Sequence, residues 1–421
     1  MPKFKLILCV VLFFWSLVPG PCRALSLSKG SLVQAEDRTL LELPRAYQDS
    51  KFQFFPIPYF ETDPGAGETY GLMPTFLWYD PDDHLITIAV AAFTYNPKVT
   101  GAGGLGGIFL YPSDKEYFEI FVAASQNFAR EYYTRYINET WAEGRLDVDA
   151  ELQYMQDPFE RFFGFGPGTP ESNESNFVSH LWFWKGRVAY EILPKFDVQL
   201  EEKWLRMNLN PRAITSLNNT ATFFAGNNEV VSSNQWTNRL SLIWDTRDSR
   251  QFPKQGHYVE TFGLFVPPSF DSNPFYSGYG FIGKEIFTLG ERFTTVLRLT
   301  ADQLFGDTVP FYMQTSLGGE NDLRSFVERR FTGRGRVLFD VEERILVKSF
   351  TIMKAKFDLS LDPFFAVGQV FNQWGQVALD NLQPVGGLGF RALVPPAVVG
   401  RVDFAVGTEG INVYTTLNYP F

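Results

Sequence analysis

The sequence predicts an all-β fold: a single sixteen-stranded antiparallel transmembrane β-barrel. Apolar and polar residues alternate with a period of two in segment after segment. Aromatic residues make up 17% of the chain, while charged residues reach only 20%. The last of these segments ends on an aromatic residue, Phe421, at the chain terminus. These features are typical of a barrel whose outer face meets lipid and whose inner face meets water.

The clearest alternation lies between residues 335 and 347. One face is apolar and the other is charged: Val337, Phe339, Val341, Ile345 and Val347 against Arg336, Asp340, Glu342 and Arg344. Segments of this kind number sixteen: 68–79, 84–96, 101–111, 115–126, 143–155, 177–191, 195–208, 236–247, 255–266, 275–287, 291–303, 333–347, 352–366, 385–394, 399–408 and 411–421. The stretch 128–138 fits either a further strand or an extension of its neighbour, and it is left out of the count partly because such barrels have an even number of strands.

The two ends of the chain carry export and sorting features. Lys3 and Lys5 precede an apolar run, and a cleavage site after Ala24 makes residues 1–24 a secretory signal peptide. Residues 25–55 are then a short periplasmic segment, and 56–421 form the barrel. In the last segment Ile411, Val413, Leu417, Tyr419 and Phe421 share one face. Tyr419 and Phe421 resemble the C-terminal sorting signal of bacterial outer-membrane barrels.

Catalytic and metal-binding patterns are missing from the sequence. Both cysteines, Cys9 and Cys22, fall in the signal peptide, so the exported chain has no thiol chemistry. The three histidines, His84, His180 and His257, belong to no G-x-S-x-G or H-E-x-x-H pattern. We therefore expect a protein that is not an enzyme and has no cofactor and no metal site. The formal net charge of −10 argues against a nucleic-acid partner.

Five motifs occur in a fixed order along the chain. They are 161–166 (RFFGFG), 244–256 (WDTRD then FPKQG), 317–326 (LGGENDLRSF), 341–344 (VEER) and 385–391 (VGGLGFR). Together they resemble the BamA/TamA-like bacterial surface-antigen family, in which the third motif is the "VRGF" loop. The stretch between Ala24 and the first predicted strand is too short for a POTRA domain, so the chain resembles a member that lacks them.

The resemblance implies that the loop motif Leu323, Arg324, Ser325 and Phe326 folds back into the barrel lumen. Arg324 would then pair with a carboxylate on the inner face of the following strands. The candidates, which the alternation places on that face, are Glu342, Asp358 and Asp362. The alternative is a solvated loop arginine. Two departures from the family pattern bear on the partner: Ser325 replaces a glycine, and Ala366 stands where an aspartate is expected.

The same resemblance implies a role in outer-membrane biogenesis, by protein insertion or translocation or by lipid handling. Two other classes stay open: a passive transport pore, which needs only a polar lumen, and an outer-membrane hydrolase. The implied partners are outer-membrane lipid, as lipopolysaccharide or phospholipid, and unfolded outer-membrane protein clients or periplasmic factors. The implied location is the cell outer membrane.

Overall fold

The alternating segments pair with their chain neighbours into one closed antiparallel β-barrel. A computed structural model describes residues 51–416, except 83, 114, 251, 269–273, 353–354 and 395–396. Eighteen strands lie in the barrel wall among these residues, and the first pairs with both the second and the last. Closure leaves no free sheet edge, which is the condition for crossing lipid with strands.

The first nine strands are β1 (Lys51–Asp63), β2 (Gly67–Tyr79), β3 (Leu85–Asn96), β4 (Gly101–Ser113), β5 (Glu116–Ser125), β6 (Arg130–Thr140), β7 (Leu146–Asp157), β8 (Val178–Leu193) and β9 (Phe196–Asn210). The other nine are β10 (Ser233–Asp245), β11 (Gly256–Val266), β12 (Tyr276–Leu289), β13 (Phe293–Gly306), β14 (Gly335–Ile352), β15 (Ala355–Phe371), β16 (Gln383–Val394), β17 (Ala397–Gly407) and β18 (Gly410–Thr416). No helix among the described residues is long and apolar enough to cross a membrane.

The prediction of sixteen strands is wrong, because β1 and β6 are additional members of the wall. In β1, Pro56 and Pro58 interrupt the pattern of a strand, since proline has no N–H to give to a ladder. In β6, the stretch left out of the count, tyrosines lie on both faces. Tyr132 pairs with Val122 on the outward face, and Tyr133 pairs with Phe121 on the inward face. Two missed strands kept the total even, so the parity rule could not expose the error.

Strand β1 begins at Lys51, so residues 51–55 of the expected periplasmic segment are part of the barrel wall. The predicted signal peptide, residues 1–24, lies outside the described residues, as do residues 25–50. The predicted sorting residues Tyr419 and Phe421 also lie outside them.

Three long connections, 158–177, 211–232 and 307–334, lie at the same rim, here called the long-loop rim. They fold over the barrel mouth and share a core of buried aromatic residues. Phe162 packs on Phe311 at 4.8 Å between ring centroids, and Phe177 packs on Phe311 at 5.3 Å. These loops therefore form an ordered cap, not freely projecting segments.

Candidate functional site

The predicted lumenal loop leaves the cap through a short hairpin, Thr315–Leu317 with Phe331–Gly333. Gly318 and Gly319 have φ of 115° and 97°, and a Cβ on Gly318 would lie 2.4 Å from the Val327 carbonyl oxygen. Only glycine accepts this turn without strain. The turn sends the segment 320–330 into the barrel.

Inside the lumen the loop packs against the inner wall of β14–β17. Leu323 and Phe326 are fully buried. The apolar cluster that holds them comprises Leu317, Leu323, Phe326, Phe331, Leu338, Phe364, Ala366, Val370, Val385 and Ala405. The Phe326 and Phe331 rings meet edge to face at 5.0 Å. Apolar burial therefore fixes the loop on one wall of the barrel.

Arg324 lies within this buried environment, with 1% of its surface exposed. Its Nη2 lies 2.8 Å from Glu342 Oε2, and its Nη1 lies 3.3 Å from Asp403 Oδ2. The guanidinium also lies 3.9 Å from the centre of the Phe364 ring. A planar fork with two carboxylates and an aromatic face is a contact that arginine makes and lysine does not.

The structure distributes the three predicted carboxylate partners differently. Glu342 forms a salt bridge with Arg324. Asp362 is buried and lies 3.5 Å from Arg391 Nε. Asp358 accepts a hydrogen bond of 2.6 Å from the Ser349 hydroxyl. That these residues form a functional site stays a prediction.

Asp403 on β17 was not among the predicted partners, although it occupies the centre of the cluster. Its carboxylate lies 2.5 Å from Arg391 Nη1 and 3.1 Å from Arg401 Nε, besides its contact with Arg324. A Cβ on Gly389 would come within 2.6 Å of Asp403 Oδ1 and 2.3 Å of Arg391 Nη1. The glycine of the fifth motif thus leaves room for an ion pair. The sequence signal that could have identified Asp403 is the alternation that places Arg401, Asp403 and Ala405 on one face of a strand.

Charged side chains line the inner wall from β13 to β17 beside the apolar cluster, and the loop adds further charges to them. Arginines and carboxylates of the wall and the loop contact one another in salt bridges: Arg298, Arg324, Arg336, Arg344, Arg391 and Arg401 with Asp302, Glu320, Asp322, Asp340, Glu342, Asp362 and Asp403. Removing one partner from a buried pair leaves an uncompensated charge. We therefore expect this wall and the loop to behave as one rigid unit.

The loop also holds the last strand, β18. Asn412 Nδ2 donates to the Ser325 carbonyl oxygen, and the Tyr414 hydroxyl donates to the Phe326 carbonyl oxygen at 2.7 Å. A Cβ on Gly407 would fall 2.1 Å from Ser325 Oγ, so a glycine there accommodates the serine. The replacement of the motif glycine by serine is thus matched by the neighbouring strand.

The seam between β1 and β18 closes the barrel. Among the described residues the Cα pair that joins them is Thr62 with Thr415, whose hydroxyls are 3.1 Å apart. Pro56 stands opposite Pro74 across β1 and β2, and two prolines cannot exchange N–H···O bonds. The residues of β1 that share the parity of Pro56 therefore direct their N–H and C=O groups away from β2, towards the seam side. Pro58 has the same parity as Pro56. The seam edge of β1 therefore has no N–H donor at these two positions.

Outside the barrel wall, Glu160 lies half-buried in the cap, in the connection that follows β7. Burial, with the nearby Asp157 carboxylate adding to it, raises the pKa of Glu160 to about 7.

The histidines do not converge on a catalytic site. His84 lies in the turn before β3, with Nδ1 3.1 Å from Asp80. His257 on β11 contacts Glu285, and His180 belongs to the outward face of β8 with Trp182 and Trp184. In the described part of the chain, no group of three or more His, Cys, Asp or Glu side chains could hold a metal ion.

Two of the solved structures that are similar to this chain are those of BamA and CdiB. BamA from Haemophilus ducreyi, in a structure lacking POTRA domains 1–3, is similar with a TM-score of 0.52 and 11% sequence identity over 86% of this chain and 75% of that one. CdiB from Escherichia coli is similar with a TM-score of 0.44 and 10% identity over 89% of this chain and 68% of that one. Among curated proteins, no relative is detectable by sequence.

Residues 184–406, more than half of the chain, match the Omp85 superfamily domain. This match confirms the family resemblance carried by the five motifs. The chain therefore belongs to the Omp85 superfamily and is an outer-membrane β-barrel.

Proposed function

We propose that this barrel inserts or translocates polypeptide at the outer membrane, and that an extended client strand pairs with the edge of β1 at the seam. Membership of the Omp85 superfamily supports a role in outer-membrane biogenesis or translocation in general. The observation that carries the finer proposal is the seam-facing edge of β1, where Pro56 and Pro58 have no N–H to donate.

A strand whose ladder lacks donors is held less firmly by its neighbour. A typical protein hydrogen bond contributes about 1 kcal/mol net, so two missing donors matter in a single strand pair. The carbonyl groups and the remaining N–H groups of the same edge can still pair with another strand. Strand addition of this kind uses main-chain hydrogen bonds and tolerates many client sequences.

The two sides of the seam differ in how they are held. Strand β18 is fixed from inside by the loop, through Asn412 and Tyr414. Strand β1 has Tyr59 and Glu61 on its inner face, and these two side chains hydrogen-bond to each other. The arrangement supports β1 as the strand that moves away when the seam opens.

The alternative of a passive pore has less support. The cap and the buried loop both occupy the mouth at the long-loop rim, and the loop is tied to the wall by Arg324. A solute channel through the lumen would require that buried cluster to come apart.

A reversible lock on the seam tests the proposal. Thr62→Cys with Thr415→Cys places two thiols on directly paired positions whose hydroxyls are now 3.1 Å apart. The matched control is Thr288→Cys with Thr294→Cys, a pair joining β12 to β13 whose hydroxyls are 2.9 Å apart. The measurement is folding of an unfolded outer-membrane protein into vesicles that contain the barrel.

Oxidation should abolish client folding in the seam variant only, and a reductant should restore it. Equal activity of the oxidised and reduced seam variant would refute insertion at this edge. Loss of fluorescent-phospholipid transfer, with client folding intact, would assign the seam to lipid handling instead.

A further inference from the structure

The connection between β15 and β16, residues 372–382, folds back over the outer wall of the barrel. The Phe371 ring lies across Gly335 of β14, where a Cβ would come within 2.4 Å of it. Trp374 packs on Phe371 at 4.7 Å between ring centroids. Its indole N–H donates to the Tyr279 hydroxyl on β12 at 2.9 Å. The connection therefore spans from β15 to β12 along the lipid-facing surface.

Two glutamines of the outer wall are covered by this connection. Gln303 and Gln369 point outward by register, yet each is only 1% exposed. Gln369 Nε2 donates to the Ala378 carbonyl oxygen at 2.9 Å, and its Oε1 accepts from the Ala378 N–H at 3.2 Å. Gln303 Nε2 donates to the Asn372 carbonyl oxygen at 2.9 Å. Polar side chains of the wall thus satisfy the backbone of the connection.

The connection also satisfies much of its backbone internally. Two 3₁₀ turns, Trp374–Gln376 and Leu379–Asn381, pair successive carbonyl and N–H groups. The Gln376 side chain accepts from the N–H groups of Asn372 and Gln373. A loop that projects into water has no need of such bonding, because water supplies it. Irregular backbone at the edge of a bilayer does need it.

The surface of this connection carries no cation, and its exposed large hydrophobic side chains, Trp374, Val377 and Leu379, lie beside exposed polar residues that include Asp380. Leu379 is 84% exposed and Val377 is 41% exposed. Residues 372–382 contain neither Lys nor Arg, so they offer no ammonium or guanidinium group to a phosphate. Exposed Phe305 and Phe365 lie on the same outer wall. The connection is therefore continuous with the lipid-facing band of the barrel.

We propose that residues 372–382 are an outer-leaflet anchor, with Leu379, Val377 and Trp374 inserted among the acyl chains of the outer leaflet. The anchor is independent of the proposed function at the seam. The partner is the apolar part of the lipid, because Leu379 and Val377 are exposed hydrophobic side chains and an aromatic side chain with a polar tip suits the membrane interface. The polar residues beside them, Asp380 among them, would remain at the headgroup level.

Fluorescence quenching at single cysteines tests this assignment. Cys9 and Cys22 are the cysteines of the natural sequence and both precede residue 51, so a cysteine introduced into the barrel can be labelled selectively. Leu379→Cys carries an environment-sensitive dye in proteoliposomes. Phe365→Cys is the lipid-facing reference, and Glu171→Cys, in a 3₁₀ turn of the cap, is the aqueous reference.

Doxyl-labelled phospholipid should quench the dye at 379 as it does at 365, while aqueous iodide should quench only at 171. Adding Gln369→Leu removes both hydrogen bonds to Ala378. The dye at 379 should then be quenched less by doxyl lipid and more by iodide, as the dye at 171 is. A dye at 379 that responds to iodide and not to doxyl lipid would overturn the proposal. A dye shielded from both quenchers would also overturn it, in favour of a protein contact.

Discussion

The inner walls on the two flanks of the barrel are built from different chemistry. From β13 to β17 the wall carries buried arginines and carboxylates in contact, with Asp403 shared by three arginines. From β1 to β5 the inward face carries a group of apolar side chains beside polar ones such as Thr75 and Thr94, and no arginine: Phe55, Ile57, Met73, Leu77, Ile88, Val90, Leu105, Phe109 and Phe121. The carboxylates Glu61 and Glu119 on this wall accept hydrogen bonds from tyrosines.

This difference separates a fixed half from a half that can rearrange. Buried charges have few acceptable positions, because each must keep an opposite charge and its hydrogen bonds. Apolar contacts are non-directional, so a wall of such contacts tolerates a shift of its strands. The seam lies between the two halves. Its β18 edge follows the charged wall, and its β1 edge begins the other one.

The largest expected effect comes from breaking the fixed half. Arg324→Ala leaves Glu342 and Asp403 with one fewer buried partner and should lower the free energy of unfolding by about 3–5 kcal/mol. Arg324→Lys should restore little of it, since the two-pronged contact is lost. Urea unfolding of the folded barrel measures both. Arg212→Ala, at an exposed position of the cap, is the control and should change little. Similar midpoints for Arg324→Ala and the control would contradict the rigid-unit interpretation.

A smaller effect should follow from strengthening the other half. Pro56→Val with Pro58→Val restores two N–H donors on the seam edge, and each hydrogen bond formed should add about 1 kcal/mol to the free energy of unfolding. Client folding into vesicles should slow, because a seam edge with both donors restored should close more firmly.

Pro74→Val is the matched control for this pair. Pro74 stands opposite Pro56, so its restored N–H faces β3 and not the seam. It should add stability without slowing client folding. If both variants slow client folding equally, general stiffness of the barrel explains the result and the seam edge does not.

The smallest effect concerns the cap. Folding raises the pKa of Glu160 from its usual value near 4.5 to about 7, so the folded state binds this proton more tightly than the unfolded state. Stability should therefore fall as pH rises from about 4.5 to 7. Glu160→Gln should exceed the natural protein in stability at pH 8 by on the order of 1 kcal/mol, because partial exposure reduces the full effect. At pH 5 the two should be nearly equal. Glu171→Gln, on the exposed surface of the same loop, should show no such pH dependence.

Local pattern was sufficient for the class of fold and for much of the loop motif. Alternation with period two follows from strand geometry alone, so it marked the strands of β14 and β15 and the inward face that holds Glu342. It failed for β1 and β6, where prolines and two-sided tyrosines blur the period. Whether such a segment joins the wall depends on the neighbours that supply its hydrogen bonds.

The sequence by itself determined an outer-membrane barrel of this family, a loop with Arg324 at its tip and a set of inward carboxylates. Only the tertiary structure decided which carboxylates meet that arginine. Asp403 is far from Arg324 in the chain, and Gly389 and Gly407 matter only through the space they leave for Arg391 and Ser325. Partner choice in a closed barrel depends on strand register and on how deep the loop enters. Both arise from all the strand pairings together, and no single segment encodes them.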